Sequence, residues 1–310
     1  MRALRLLLGM LGGYAAGGLA CLLAYGLTRL VGTPDRQGLV IYPSLFLVPF
    51  AVGVAAAWIW RPLELRIGMT LLYSFICTVG GLAAATVVFH EGLICILIAS
   101  PILYLGITAG ALAGRGWFRK TRDRLNLCLA PLLLFAVAAE PALRGGHTGV
   151  VTDEIRIAAP PSRVWPHVLA FSAIREQPGY WLFRLGLPYP METTNSGNFV
   201  GADRACIFSG GVIFKEKVAE LVPGKLLTFD IVETPPDPEL LGHLDAHRGQ
   251  FELRDNGDGT TTLIGRTWYT LHVRPAPYFD WWTHDIFRAV HLRVMRHIQQ
   301  LAESEGKGEG

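Results

Sequence analysis

The sequence predicts two structural units in one chain: an N-terminal bundle of transmembrane α-helices, then a C-terminal α+β unit with an antiparallel sheet and a long final helix. Three observations carry this. Residues 1–145 hold twelve Lys/Arg and five Asp/Glu, a net of +7, whereas residues 146–310 hold sixteen and twenty, a net of −4. Hydrophobic residues make up 51% of the chain and charged residues 17%, which is too apolar for an ordinary soluble protein of 310 residues. The second half, in contrast, alternates short β-like runs with turn signals and ends in a helical pattern.

The apolar runs come first. Residues 6–27, 39–60, 67–89 and 93–113 each run 21 to 23 residues without a charge. A helix needs roughly 20 residues to cross the hydrocarbon of a bilayer. A further run, 125–143, is 19 residues long but contains Asn126, Glu140 and Pro141. The expectation is therefore four or five helices within 1–145, with 125–143 as the fifth. Five spans put nine basic residues on one side (Arg2, Arg5, Arg61, Arg66, Arg115, Arg119, Lys120, Arg122, Arg124) and three on the other (Arg29, Arg36, Arg144). Basic loops stay in the cytoplasm, so the N-terminus is placed there, in an inner or plasma membrane. The C-terminal unit then lies outside the cytoplasm if 125–143 crosses, and inside if it does not. Gly9, Gly13 and Gly17 recur on one face of the first helix, where small residues let a neighbour approach closely. No charged residue interrupts the first four runs, which argues against an ion or proton pathway and for an anchor.

In the second half, residues 150–157 read as a strand and 161–170 as a helix that opens on Pro161. Strand candidates follow at 199–208, 212–222, 226–233, 250–254 and 261–273. Pro223-Gly224-Lys225 and Asn256-Gly257-Asp258-Gly259 mark tight turns between them. Strands joined by short turns pair antiparallel. Residues 278–303 then form a helix whose stripe of Trp281, His284, Phe287, His291, Val294, Ile298 and Leu301 is set to face the sheet.

These elements resemble the START-like, or Bet v 1-like, superfamily, whose bacterial members are called polyketide cyclase/dehydrase-like or SRPBCC proteins. The resemblance covers 150–305 and rests on four stretches. They are 155–168 with Ala-Pro-Pro-Ser-Arg-Val-Trp, the turn and strand 222–229, residues 259–269, and the final helix with Arg293-Val294-Met295-Arg296-His297-Ile298. Three features depart from it. Six strands are legible where the family has one more, the missing one falling near 191–195. Residues 234–248 make an extra loop, and the membrane half is not a usual part of the family.

The resemblance implies a helix-grip fold, a curved sheet holding the last helix around an apolar cavity for a hydrophobic ligand. Trp165, Trp181, Phe208, Phe229, Phe251, Tyr269, Trp281 and Phe287 are the candidate wall residues, and ordinary core packing is the plainer reading of each. His284 and His291, seven residues apart on the core-facing stripe, are candidate ligand anchors or an acid–base pair. Their plainer reading is as hydrogen-bonded ties between helix and sheet.

His243 and His247 are four apart, a spacing that suits zinc on a helix, but no third ligand is evident, and no metal is expected. Cys206 stands alone in the second half, so that half holds no internal disulfide. No nucleophile elbow, phosphate loop or dinucleotide fingerprint occurs, and no cofactor is expected. Nucleic acid is excluded as a partner, because the basic residues flank apolar runs and form no stripe on a soluble face. The expected partners are the bilayer and a lipid or other hydrophobic small molecule. The expected function is membrane-anchored binding or transfer of that ligand. The alternatives are a cyclase or hydratase using the cavity histidines, and a signalling or assembly module that binds nothing.

Overall fold

A computed structural model describes residues 2–30, 44–89, 92–120, 146–235 and 244–305. The chain divides into two compact units, with residue 146 beginning the second.

The first unit contains α1 (Arg2–Leu30), α2 (Ser44–Trp60), a short 3₁₀ turn at Arg61–Leu63, α3 (Ile67–Phe89) and α4 (Leu93–Lys120). Three helical stretches, Leu45–Leu63, Ile67–Ala84 and Leu93–Phe118, are long and apolar enough to cross a bilayer. Small residues set the packing. Gly9 lies against Trp60, and Gly13 and Gly17 against Val52, so the glycine face of α1 receives α2. Gly53 meets the backbone of α4 at Ile107, and Gly110 meets that of α2 at Phe50, which leaves no room for side chains at this crossing.

α3 is arranged inside out. Thr70, Ser74, Cys77 and Thr78 are buried, whereas Leu72, Phe75, Ile76 and Val79 are exposed. The inward hydroxyls of Thr70 and Thr78 donate to the Arg66 and Ser74 carbonyls four residues back. α3 thus turns hydroxyls inward and large apolar side chains outward. Run 125–143 lies outside the described residues.

The second unit runs β1 (His147–Ile157), α5 (Pro161–Leu169), the single turn α6 (Trp181–Arg184), β2 (Pro190–Asn195), β3 (Asp203–Phe208), β4 (Ile213–Val222), β5 (Leu226–Glu233), β6 (Leu244–Asp255), β7 (Thr261–Leu271) and α7 (Ala276–Glu305). The seven strands form one antiparallel sheet in the order β1-β7-β6-β5-β4-β3-β2. The strand missing from the sequence pattern is β2, at the expected place. β6 begins at Leu244, so the expected loop 234–248 is partly strand. β3 begins at Asp203, later than the pattern suggested, because Gly201 at φ +94° turns the chain just before it and leaves Phe199 and Val200 exposed.

The sheet curls around α7. Bulges interrupt the β2–β3, β4–β5 and β6–β7 pairings, and each bends its strand. His291 bonds to Asp153 on the edge strand β1, while Arg293 donates to the Pro190 carbonyl of the opposite edge strand β2. Two residues of helix rise about 3 Å, whereas a flat sheet of seven strands is roughly 29 Å wide. Both edges therefore flank one turn of the helix, which fits a helix-grip fold. Below that turn, Val164 and Val168 of α5, Leu227, Leu253 and Leu263 of the sheet, and Met295 and Ile298 of α7 form a fully enclosed core.

Ile298 has no exposed surface, and its truncation leaves a cavity where helix and sheet meet. Ile298→Ala is expected to destabilise the second unit by about 2–5 kcal/mol. The loss is read as a lower urea midpoint for hydrogen exchange at the β6 and β7 amides of the full-length protein.

Candidate functional site

A cavity of about 140 Å³ lies between the concave face of the sheet and α7. Alternation in the strands and helical periodicity in α7 decide what lines it. Phe208 and Phe214 come from β3 and β4, Phe229 from β5, Phe251 from β6, and Ile286, Phe287, Val290 and Val294 from α7. Phe208 and Phe214 have ring centres 4.7 Å apart, and Phe229 and Phe251 6.3 Å. Gly249 belongs to this wall by necessity, since a Cβ there would stand 2.3 Å from the Phe229 ring.

Three polar groups interrupt the apolar lining; one is Arg266, whose Nη1 donates to Gln250 Oε1 at 2.7 Å, and the other two lie on strands that are not neighbours. The first of those two is an ion pair between Arg204 and Glu216, directly paired residues of β3 and β4 with side chains almost wholly buried. The Arg204 guanidinium also stacks over Phe229, 4.4 Å from the ring centre. Burial pushes the Glu216 carboxyl above the usual carboxylate range, and Arg204 opposes that shift. Burial likewise pushes the neighbouring Cys206 thiol up, with the Glu216 charge adding to it. Cys206 is thus held as a neutral thiol, unsuited to nucleophilic attack.

The second group is a chain of three side chains. Asp153 Oδ2 lies 2.9 Å from His291 Nδ1, and His291 Nε2 lies 2.8 Å from Thr267 Oγ1. His291 and Thr267 both line the cavity. Asp153 stands on the inward face of β1 between Val151 and Ile155, where alternation calls for an apolar residue. Phe251 and Phe229 lie on the strands between Thr267 on β7 and the ion pair on β3 and β4.

Five of the ten candidate residues therefore meet at the cavity: Phe208, Phe229, Phe251, Phe287 and His291. The other five lie elsewhere. Trp165 packs on the enclosed core beneath α5. Tyr269 is buried, and its hydroxyl donates to Asp280, with its ring 5.6 Å from Phe287. Trp281 is 62% exposed and Trp181 45% exposed. His284 is half exposed, 3.8 Å from Asp280.

The stripe drawn through Trp281, His284 and Phe287 drifts for a geometric reason. Each step of three residues falls about 60° short of a full turn, so two in succession carry Trp281 about 120° round from Phe287. The buried face of α7 instead reaches Thr283. His247 sits on β6 and bonds to Thr270 Oγ1 at 2.7 Å, so helical spacing does not apply to it; His243 lies outside the described residues. Asp153 and Glu216 are the site residues that the sequence reading misses; alternation puts Thr267 on one face with Leu263 and Leu271, and for Arg204 and Arg266 strand position leaves a pocket carboxylate and solvent both open. The signal of Asp153 and Glu216 is a polar side chain at an inward-facing strand position.

No known family pattern matches the chain, and no curated protein is similar to it. Among solved structures, norcoclaurine synthase from Thalictrum flavum, in complex with dopamine and hydroxybenzaldehyde, is 17% identical with a TM-score of 0.36; the match covers 51% of this chain and 88% of that one. A protein from Nitrosospira multiformis is 18% identical with a TM-score of 0.34, over 51% and 99% of the two chains. One from Thermobifida fusca is 20% identical at 0.33, over 49% and 92%. Likenesses at these TM-scores carry no argument about function, which rests on the cavity itself.

The ion pair gives a pH-dependent expectation. Without Arg204 nothing opposes burial, and the folded-state pKa of Glu216 rises further above its unfolded value. A carboxyl shifted upward favours folding at low pH and opposes it as pH rises through the folded-state value. Arg204→Met is therefore expected to cost about 3–5 kcal/mol at neutral pH, with the loss shrinking toward about pH 4. Adding Glu216→Leu is expected to recover most of it. The same hydrogen-exchange midpoints, measured across pH, check both.

Proposed function

We propose that the chain is a membrane-anchored protein whose second unit holds a small hydrophobic ligand in the cavity between sheet and helix. The observation that carries this is the cavity's lining, a ring of phenylalanines and aliphatic residues with polar groups at only three places. Its size narrows the ligand. A cavity of about 150 Å³ accepts one benzene ring, so 140 Å³ suits a ring-sized or short-chain molecule better than an entire phospholipid. The open space weighs against an assembly module with a filled interior.

The anchor reading is supported by three helical stretches of spanning length and by the inverted polarity of α3. The excess of basic residues on one side favours a cytoplasmic N-terminus. The side on which the ligand unit lies follows from whether 125–143 crosses. Tethering to the bilayer concentrates the unit where apolar ligands partition.

An enzyme acting on the same ligand is the second reading. It is favoured by Asp153, which orients His291 beside a cavity hydroxyl in the manner of an acid–base relay.

The test uses full-length protein. It is expected to remain in the membrane pellet after alkaline carbonate washing, and to retain a low-mass hydrophobic adduct in native mass spectrometry. Val290→Trp, which fills the cavity from α7, is expected to lose that adduct while keeping the fold. An adduct that survives Val290→Trp places the ligand elsewhere and ends this reading.

A further inference from the structure

The Asp153–His291–Thr267 chain has a direction, and the direction limits what the cavity can bind. A carboxylate only accepts hydrogen bonds. Asp153 Oδ2, 2.9 Å from His291 Nδ1, therefore requires the proton on Nδ1. Arg288 Nε faces the other carboxylate oxygen at 3.8 Å. With Nδ1 protonated, the neutral ring offers Nε2 as an acceptor. Thr267 Oγ1, 2.8 Å away, must then donate to it. A hydroxyl has one proton, and this one is committed. What Thr267 can offer the cavity is lone pairs.

The remaining surroundings sharpen the choice. Arg204 donates to Glu216 through Nη1 and keeps a buried Nε without a partner among the described residues, but β5 and β6 with Phe229 and Phe251 separate it from Thr267, and Arg266 is bonded to Gln250 and Glu252. A ligand with an acceptor facing Thr267 would bring two sets of lone pairs together and bury both unpaired, a costly arrangement. A ligand with a hydroxyl or N–H there completes the chain. This inference rests on the ligand-binding reading of the cavity and goes further than it. We propose that Thr267 is a specificity-determining residue that selects small apolar rings bearing a hydrogen-bond donor, because the Asp153–His291 pair holds its own proton away from the ligand.

Phenol, fluorobenzene and benzaldehyde are ring-sized probes that present a donor, no strong hydrogen-bonding group and an acceptor. Their binding to the full chain in nanodiscs is measured at about pH 8.5, above the range in which imidazoles ordinarily titrate, with uptake by empty nanodiscs subtracted. One hydrogen bond corresponds to roughly three- to tenfold in affinity. The phenol-to-fluorobenzene affinity ratio is expected to fall by that factor in Thr267→Val and to return in Thr267→Ser, which keeps the hydroxyl. Melting temperatures of both variants separate a lost contact from a lost fold.

A ratio equal in all three proteins, with both probes bound, overturns the role of Thr267 and leaves the cavity reading standing. Preference for benzaldehyde over phenol that disappears in Thr267→Val overturns the assigned direction of the chain. Failure of every probe to bind overturns the cavity reading, and this inference with it.

Discussion

The second unit depends on one turn of α7 being held from both sides. His291 reaches Asp153 on one edge strand and Arg293 reaches the Pro190 carbonyl on the other. Neither bond is strong by itself, since a hydrogen bond contributes about 1 kcal/mol net, and more where a charge takes part. Together they specify shape. An open sheet leaves two edges of unpaired backbone; here both edges are brought to the same helix, and the enclosed side becomes a cavity. The bulges supply the bend, and the helix fixes how far it goes.

The same geometry explains why the cavity is small and how polar groups come to line it. Large rings on β3 to β6 point inward and meet at the centre. Close approach is possible because Gly249 and Gly265 place no side chain on the inner face, so that the Phe229 ring and the Met295 sulfur occupy that space. Charged residues at inward positions are tolerated because each has a partner. Arg204 has Glu216 and the Phe229 ring, and Asp153 has His291. A buried pair of this kind adds little to stability but is costly to break. It therefore serves to fix which side chain points where.

Much of the fold was legible in the sequence because apolar periodicity reports on large apolar faces. The second unit's strands, α5, α7 and the apolar runs are all read from that signal, and even β2 was marked by a gap in the expected count. Site residues were harder for the same reason. Phe208, Phe229, Phe251 and Phe287 are large apolar residues on inward positions, and nothing in their pattern distinguishes cavity wall from core. His291 was legible because it sits in the apolar stripe. Asp153 was not, and Thr267 was legible only as a member of the face it shares with Leu263 and Leu271, since what makes both notable is their contact with His291, which depends on how strands and helix meet. Trp281 shows the opposite error. A hydrophobic residue six positions from Phe287 was drawn into the stripe, although the helix had by then rotated away.

α3 has a consequence that reaches beyond packing. In the bilayer proposed for it, its solvent is hydrocarbon, so the outward Leu72, Phe75, Ile76 and Val79 are its solvated surface, and Ser74 and Thr78 lie in its interior. In the second unit polarity marks the surface and greasiness the interior; in α3 the assignment is reversed. Under that proposal, substitutions in α3 and in the second unit carry opposite meanings. A serine replacing an outer leucine is a conservative exchange on the sheet's convex face and a disruptive one on α3. Tolerance to mutation in this protein has two grammars, and a position must be assigned to its solvent before a change there can be interpreted.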